Sequence, residues 1–130
     1  MVDPTAVARF PILVVDDEPL LREIIAETLS EYQVTVATDG RTAIDLMRAG
    51  GFEMVITDLM MPQTDGFAIL NAAQTITPSP SVLVITGYPS DAHMQRCHEL
   101  GCLDVMSKPF SVLAVRDTVE RYARERGLRA

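Results

Sequence analysis

Five short blocks of apolar, largely β-branched residues alternate along the chain with five stretches of helical period. The blocks are residues 12–15, 34–37, 54–57, 82–85 and 103–106. Within most blocks the apolar residues run together instead of alternating with polar ones, which is typical of strands covered on both faces of a parallel sheet. The pattern therefore predicts five repeats of a strand followed by a helix.

Repeats of this kind, joined by right-handed crossovers, form one doubly wound sheet with helices on both faces. We predict an α/β, flavodoxin-like (βα)5 fold whose five parallel strands lie in the order 2-1-3-4-5. A chain of 130 residues, 48% of them apolar, is long enough for one such domain and too short for two ordinary ones. In this fold a ligand binds beyond the carboxyl ends of the strands, near the switch point between strands 1 and 3.

The net charge and the composition indicate which kinds of ligand and which cellular location the chain favours. The 18 acidic and 11 basic residues give a net charge of −7, which disfavours nucleic acid and anionic membranes and favours cations. No apolar run approaches the roughly 20 residues that cross a bilayer, and the first residues do not resemble a secretory signal. We expect a cytoplasmic protein, whose two cysteines, Cys97 and Cys102, lack the spacing of a redox or zinc pair and remain free thiols.

Polar side chains follow the predicted strands where those strands end. Asp16, Asp17 and Glu18 come directly after the first block, and Asp58 follows the third. Clustered carboxylates repel one another unless a cation joins them, and hard oxygen ligands suit Mg2+. Helix N-terminal placement is an alternative explanation for the first three acids, because they precede a helical stretch. Asp58 has no adjacent helix, since the next one is predicted to begin near Gly66.

Lys108 is the only lysine, against ten arginines, and it follows the fifth block directly before a proline. Its ammonium is a compact charge that can pair with Asp58 and then with a phosphoryl oxygen. Thr86, after the fourth block, can donate one hydrogen bond to the same oxygen, and Gly87 leaves room for the group to enter.

These residues resemble the receiver domain of bacterial two-component response regulators. The resemblance covers about residues 11–126 and rests on four segments in register, each at a predicted strand end. They are Val14-Val15-Asp16-Asp17-Glu18-Pro19, Asp58-Leu59-Met60-Met61-Pro62 through Asp65-Gly66-Phe67, Ile85-Thr86-Gly87-Tyr88, and Lys108-Pro109-Phe110. We accordingly expect an N-terminal extension over residues 1–10 and a C-terminal tail over residues 127–130.

The resemblance implies a role for each matching residue. Asp58 accepts a phosphoryl group from a sensor histidine kinase or a histidine phosphotransfer protein. Asp16, Asp17, Asp58 and the backbone carbonyl of Met60 hold Mg2+. Thr86 and Lys108 engage the phosphoryl group as switch residues, and Pro109 follows a cis peptide bond. The domain is then not an enzyme on other substrates, because it catalyses only its own phosphorylation and slow dephosphorylation.

The implied output is a change in the surface formed by the fourth helix, fifth strand and fifth helix. That surface would bind a downstream protein, an output domain or, after phosphorylation, a second copy of the chain. Two departures from the family pattern affect this expectation. Val105 stands at the usual aromatic switch position, and Met60 and Tyr88 are bulky where fast dephosphorylators carry polar groups, so we expect a long-lived phosphoryl group.

Three other functions are alternatives to the phosphoacceptor role. A receiver-like interaction module that works without phosphorylation is the main alternative. A phosphohydrolase that uses an aspartate nucleophile would need a general acid at position 60, which is Met, and a cap domain. A flavin-binding protein would need a phosphate-cradling loop after strand 1, where three acids would repel the phosphate.

Overall fold

The computed structural model describes residues 10–61, 65–87 and 90–125 of the chain. Residues 1–9 of the expected extension, the expected tail, Pro62 and Tyr88 lie outside the described residues. The strands are β1 (Pro11–Val15), β2 (Gln33–Ala37), β3 (Met54–Asp58), β4 (Ser81–Thr86) and β5 (Asp104–Ser107). The helices are α1 (Pro19–Thr28), α2 (Gly40–Ala49), α3 (Gly66–Gln74), α4 (Asp91–Glu99) and α5 (Val112–Glu125).

All five strands are parallel and lie in the order β2-β1-β3-β4-β5, so the predicted fold class is confirmed. The register aligns the carboxyl ends of the strands. Val15 of β1 is level with Thr57 of β3, and Asp58 is level with Ile85 of β4. The residues that follow these strands therefore emerge at one edge of the sheet.

Two apolar clusters, one on each face of the sheet, hold the layers together. Leu13, Val55 and Val84 belong to the cluster that also contains buried residues of α2, α3 and α4. Their neighbours along the strands, such as Val14 and Ile56, belong to the cluster with α1 and α5. Because successive residues of a strand point to opposite faces, a strand covered on both faces needs an uninterrupted apolar run.

The prediction of coverage on both faces fits the three central strands and is wrong for the edge strands. β1, β3 and β4 are buried along almost their whole length, but β2 and β5 are only partly buried. The side chain of Val36 in β2 is 47% exposed. An edge strand has a neighbour on one side only, and here its packing helices leave part of it open to solvent.

Local signals place the helices beside the site. Pro19 occupies the first turn of α1, where its missing N–H costs no hydrogen bond. The Asp65 side chain accepts a hydrogen bond from the Ala68 backbone N–H, so α3 begins at Gly66. This start leaves Asp58 on the loop between β3 and α3, as the sequence predicts. None of the helices in the described ranges is long and apolar enough to span a membrane.

Candidate functional site

Three carboxylates meet at the carboxyl edge of the sheet. Oxygen atoms of Asp16, Asp17 and Asp58 all lie within 4.8 Å of one another. Asp58 is the last residue of β3, and Asp16 and Asp17 directly follow the neighbouring strand β1. Asp16 and Asp58 are buried, whereas Asp17 is exposed. The parallel pairing of β1 and β3 thus brings together acids that are about 40 residues apart in the sequence.

Lys108 is the cation of this cluster. Its Nζ atom lies 2.9 Å from Asp58 Oδ2, 3.6 Å from Asp16 Oδ2 and 3.5 Å from Glu18 Oε1. The Lys108 backbone N–H donates to the carbonyl oxygen of Thr86 at 2.7 Å, and the Lys108–Pro109 peptide bond is cis. The lysine is therefore fixed to the end of β4 through its backbone and to β1 and β3 through its side chain.

Burial and the neighbouring opposite charges shift the pKa values of Asp16 and Lys108 in opposite directions. Burial raises the pKa of Asp16, and the hydrogen bond from the Glu18 backbone N–H and the charge of Lys108 offset part of the rise. Burial alone would lower the pKa of Lys108. The hydrogen bond to Asp58 and the charges of Asp16 and Asp58 outweigh it and raise that pKa, so the ammonium stays charged.

The donor set fits a divalent cation. Lys108 pairs with the carboxylates of Asp16, Glu18 and Asp58, and Arg22 binds the Asp16 backbone carbonyl, so with Asp17 the described side chains give this edge four acids and two cations. Carboxylate and carbonyl oxygens are the ligands that Mg2+ prefers. The Met60 backbone N–H donates to Asp58 Oδ1 at 3.2 Å, which holds the Met60 peptide beside the cluster. The residues present therefore suit Mg2+ better than a softer metal.

The alternative explanation of the first three acids as helix caps is not supported for Glu18. Glu18 precedes α1, but its side chain makes no capping hydrogen bond. Its carboxylate instead points to Lys108. The oxygen that satisfies a backbone N–H here belongs to Asp16, which accepts from Glu18 N at 2.9 Å.

An open cleft of about 360 Å³ gives access to the carboxylates. Its lining consists of Asp17, Glu18, Asp58, Met60, Gly87 and Lys108. A β-carbon added at Gly87 would come no closer than 4.0 Å to the Lys108 side chain, so this wall leaves space beside the lysine. Thr86 is fully buried at the end of β4, and Val105 is half-buried in β5.

Gly66 supports the site in a way that the sequence did not reveal. A β-carbon at this position would lie 2.8 Å from both the Asp58 carbonyl oxygen and the Leu59 α-carbon. The Gly66 N–H donates to the Leu59 carbonyl oxygen at 2.8 Å. The first turn of α3 therefore packs directly against the backbone that carries Asp58. The Asp65-Gly66 pair marks this turn in the sequence, but the close contact appears only in the fold.

Residues 12–120 of the chain match the response regulator receiver domain family. The chain belongs to this family. The match begins at the second residue of β1 and ends in α5, so it includes the other four strands in full and every site residue described above.

Individual relatives of this receiver domain differ greatly in length. Sporulation initiation phosphotransferase F of Bacillus subtilis is 32% identical over 113 residues, and the match covers 85% of this chain and 91% of that protein. Sensor histidine kinase RcsC of Salmonella typhi is 33% identical over 114 residues, which cover 86% of this chain but 12% of the kinase.

A solved structure gives a further comparison. It is a response regulator protein from Burkholderia pseudomallei with a phosphorylated aspartic acid, a calcium ion and citrate. The two chains superpose with a TM-score of 0.74 at 26% identity, over 88% of this chain and 72% of the other. The receiver fold of the present chain is thus shared with a small phosphotransferase, part of a sensor kinase and a phosphorylated regulator.

Proposed function

We propose that this receiver domain takes a phosphoryl group onto Asp58 and passes the signal on by changing a binding surface. The observation that carries the proposal is the cluster of Asp16, Asp17 and Asp58 with the Lys108 ammonium 2.9 Å from Asp58 Oδ2. A nucleophilic carboxylate, a set of hard oxygen ligands and a fixed cation are the parts that phosphoryl transfer requires. The related structure with a phosphorylated aspartic acid supports the same chemistry.

The proposed reaction begins on a phosphorylated histidine of a sensor kinase or phosphotransfer protein. A carboxylate oxygen of Asp58 attacks the phosphorus atom, the P–N bond breaks, and the histidine nitrogen leaves with the bond's electron pair. Lys108, already paired with Asp58, neutralises charge on the phosphoryl oxygens, and Thr86 donates a hydrogen bond to one of them. Most of the protein's contribution is therefore positioning and charge neutralisation.

Asp16, Asp17, Asp58 and the backbone carbonyl of Met60 are the groups that would hold Mg2+. When bound, this ion would neutralise negative charge on the phosphoryl oxygens. The carboxylates themselves keep the cleft strongly negative, so without a cation they would repel an incoming phosphoryl group. The solved structure of the phosphorylated relative also contains a divalent cation, a calcium ion.

We infer that the signal leaves through α4, β5 and α5. β5 is the edge strand next to Thr86, and Cys97 is the buried residue of α4. A helix anchored by so little buried surface can shift at low cost when Thr86 and Lys108 move toward a phosphoryl group. A downstream protein, an output domain or a second copy of the chain would bind there. We further propose that residues 11–126 form the functional domain and that it works in the cytoplasm.

Intact-mass spectrometry after incubation with acetyl phosphate and Mg2+ tests the proposal. The wild type should gain one phosphoryl group, and Asp58→Asn should gain none. Asp45→Asn serves as a matched control, because Asp45 is an exposed acid on α2 and remote from the cluster. Phosphoramidate, whose P–N bond mimics phosphohistidine, should give the same adduct, and a chelator should prevent it.

The opposite result would favour a different function. If folded wild-type protein gains no phosphoryl group from either donor at any Mg2+ concentration, the phosphoacceptor proposal is wrong. An interaction module that works without phosphorylation is then the better account. Sedimentation with and without acetyl phosphate would show whether phosphorylation causes self-association.

A further inference from the structure

The two cysteines of the chain meet at the C-terminal end of α4. The Cys102 backbone N–H donates to the Cys97 carbonyl oxygen at 3.0 Å, and the Gly101 N–H donates to the His98 carbonyl oxygen at 3.0 Å. With Gly101 at a φ of +81°, these two bonds form a Schellman motif. In this motif the side chains at the two ends of the longer bond pack against each other. Here both of those side chains are thiols.

The motif brings the two residues within disulfide distance. A hydrogen bond of 3.0 Å between Cys102 N and Cys97 O keeps their α-carbons less than about 7 Å apart. Disulfides span α-carbon separations of about 4.4–6.8 Å. Cys97 is fully buried, and Cys102 packs against the same apolar cluster. Burial raises the pKa of Cys102 to about 11, with further contributions from the neighbouring Cys97 and Asp104.

We propose that Cys97 and Cys102 form a reversible disulfide that joins the end of α4 to the segment leading into β5. These are the two cysteines among the 130 residues of the sequence. The sequence predicts two free thiols, because the spacing is not that of a redox or zinc pair, and both cysteines are free in this structure. The turn at Gly101 reverses the chain and joins the backbones of Cys97 and Cys102 by one hydrogen bond.

The oxidant in this proposal is a small-molecule disulfide such as oxidised glutathione. Cys102 is the more exposed thiol, and its Sγ lies 3.8 Å from His98 Nδ1, which can accept the proton. The Cys102 thiolate attacks the small disulfide, whose S–S bond breaks and releases one thiol. The first glutathione leaves as a thiolate and takes up the proton of Cys97, whose sulfur then attacks Cys102 Sγ. The second glutathione leaves as a thiolate and takes up the proton held by His98. Two protein thiols are oxidised, and one disulfide is reduced to two thiols.

The bond would act on the proposed output surface. Cys97 is the buried anchor of α4, and Leu103, next to Cys102, donates its backbone N–H to Val82 of β4 at 2.7 Å. A disulfide would therefore tie α4 to the sheet and oppose a shift of that helix. This consequence for signalling rests on the proposed function, whereas formation of the bond does not.

Equilibration of the unphosphorylated protein with mixtures of reduced and oxidised glutathione, in mildly alkaline buffer, tests the proposal. The oxidised monomer should lose two hydrogen atoms in mass. Cleavage after Glu99 should then give two peptides that stay joined until a reductant is added. Cys102→Ser is the control, because this half-exposed position tolerates a hydroxyl and the single remaining thiol cannot form the bond. Cys97→Ala provides a second control that leaves only Cys102.

Three results would overturn the proposal. They are two free thiols in every glutathione mixture, a persistent glutathione adduct on Cys102, and a disulfide that links two chains. None of these measurements involves Asp58 or a phosphodonor. A failed disulfide therefore leaves the phosphoacceptor proposal intact, and a failed phosphorylation leaves the disulfide proposal intact.

Discussion

Replacing Gly66 by alanine tests whether the first turn of α3 supports the Asp58 backbone. In an open helical position the change from glycine to alanine stabilises a protein by about 0.5–1 kcal/mol, because alanine loses less backbone entropy. At Gly66 the new β-carbon would lie 2.8 Å from two backbone atoms, Asp58 O and Leu59 Cα. Backbone cannot rotate away as a flexible side chain can, so the helix or the loop must move.

The cost follows from this overpacking. Forcing an extra carbon into a packed region costs about 1–3 kcal/mol, which exceeds the gain in helix propensity. We expect Gly66→Ala to lower the free energy of unfolding by about 2 kcal/mol in urea titrations. For a domain of this size that corresponds to a fall in Tm of roughly 6 °C. Because the Asp58 carbonyl must move, the rate of phosphoryl transfer from acetyl phosphate should fall as well.

Gly87→Ala is the matched control for Gly66→Ala. Its new β-carbon would meet the Lys108 side chain at 4.0 Å, which is an ordinary contact. We expect its free energy of unfolding to stay within about 0.5 kcal/mol of the wild type. A Gly66→Ala protein as stable as the wild type, or more stable, would show that the contact with Asp58 does not constrain this turn.

Three further predictions concern the cleft and the core. Lys108→Met removes the ammonium that pairs with the carboxylates, so added Mg2+ should raise the Tm of this variant more than that of the wild type. A smaller rise would contradict the proposal that these carboxylates bind Mg2+. Met60 lines the cleft without a polar group to orient water, so the phosphoryl label should persist for minutes and should be lost faster in Met60→Asn. Loss of the wild-type label within seconds would refute this. Burial raises the pKa of Tyr32 from 10.0 to about 12, so with rising pH this tyrosine loses its proton in the unfolded chain before it does so in the folded one. The free energy of unfolding should therefore fall as pH rises above 10, and urea titrations should show a smaller fall for Tyr32→Phe.

The strand order and the proximity of the carboxylates could be predicted because the apolar blocks in the sequence agree with the geometry of a parallel sheet. Apolar blocks covered on both faces imply a parallel sheet, and parallel strands place the residues after them at a common edge. Asp58 and Lys108 are 50 residues apart, yet Asp58 directly follows the third block and Lys108 comes two residues after the fifth, so their proximity needs only the strand order. The helix starts at Pro19 and Gly66 follow from proline and capping signals that are local in sequence.

Other features depend on contacts that no local pattern encodes. The steric role of Gly66 arises from its approach to the Asp58 carbonyl, which requires the loop between β3 and α3 to have folded. The Thr77–Pro78 peptide bond is cis, and the small energy difference between X–Pro isomers leaves no clear sequence signal for it. The prediction of two free thiols is confirmed, but the backbone hydrogen bond that joins Cys102 to Cys97 depends on the reversal at Gly101, which the spacing of the two residues does not reveal.

β5 is the element at which both proposals meet. At its carboxyl end, Lys108 reaches Asp58 through its side chain and Thr86 through its backbone. A phosphoryl group on Asp58 would draw the Lys108 ammonium away from its present contacts with Asp16, Glu18 and the Asp58 carboxylate and so pull on this end of the strand. At the other end, the proposed disulfide would fix Cys102 to α4. With Val105 in place of an aromatic side chain, no large ring is available to carry the change across β5. We therefore expect a signal from Asp58 to pass through the backbone of this edge strand, and a bond that restrains one end of the strand would limit the response to phosphorylation at the other.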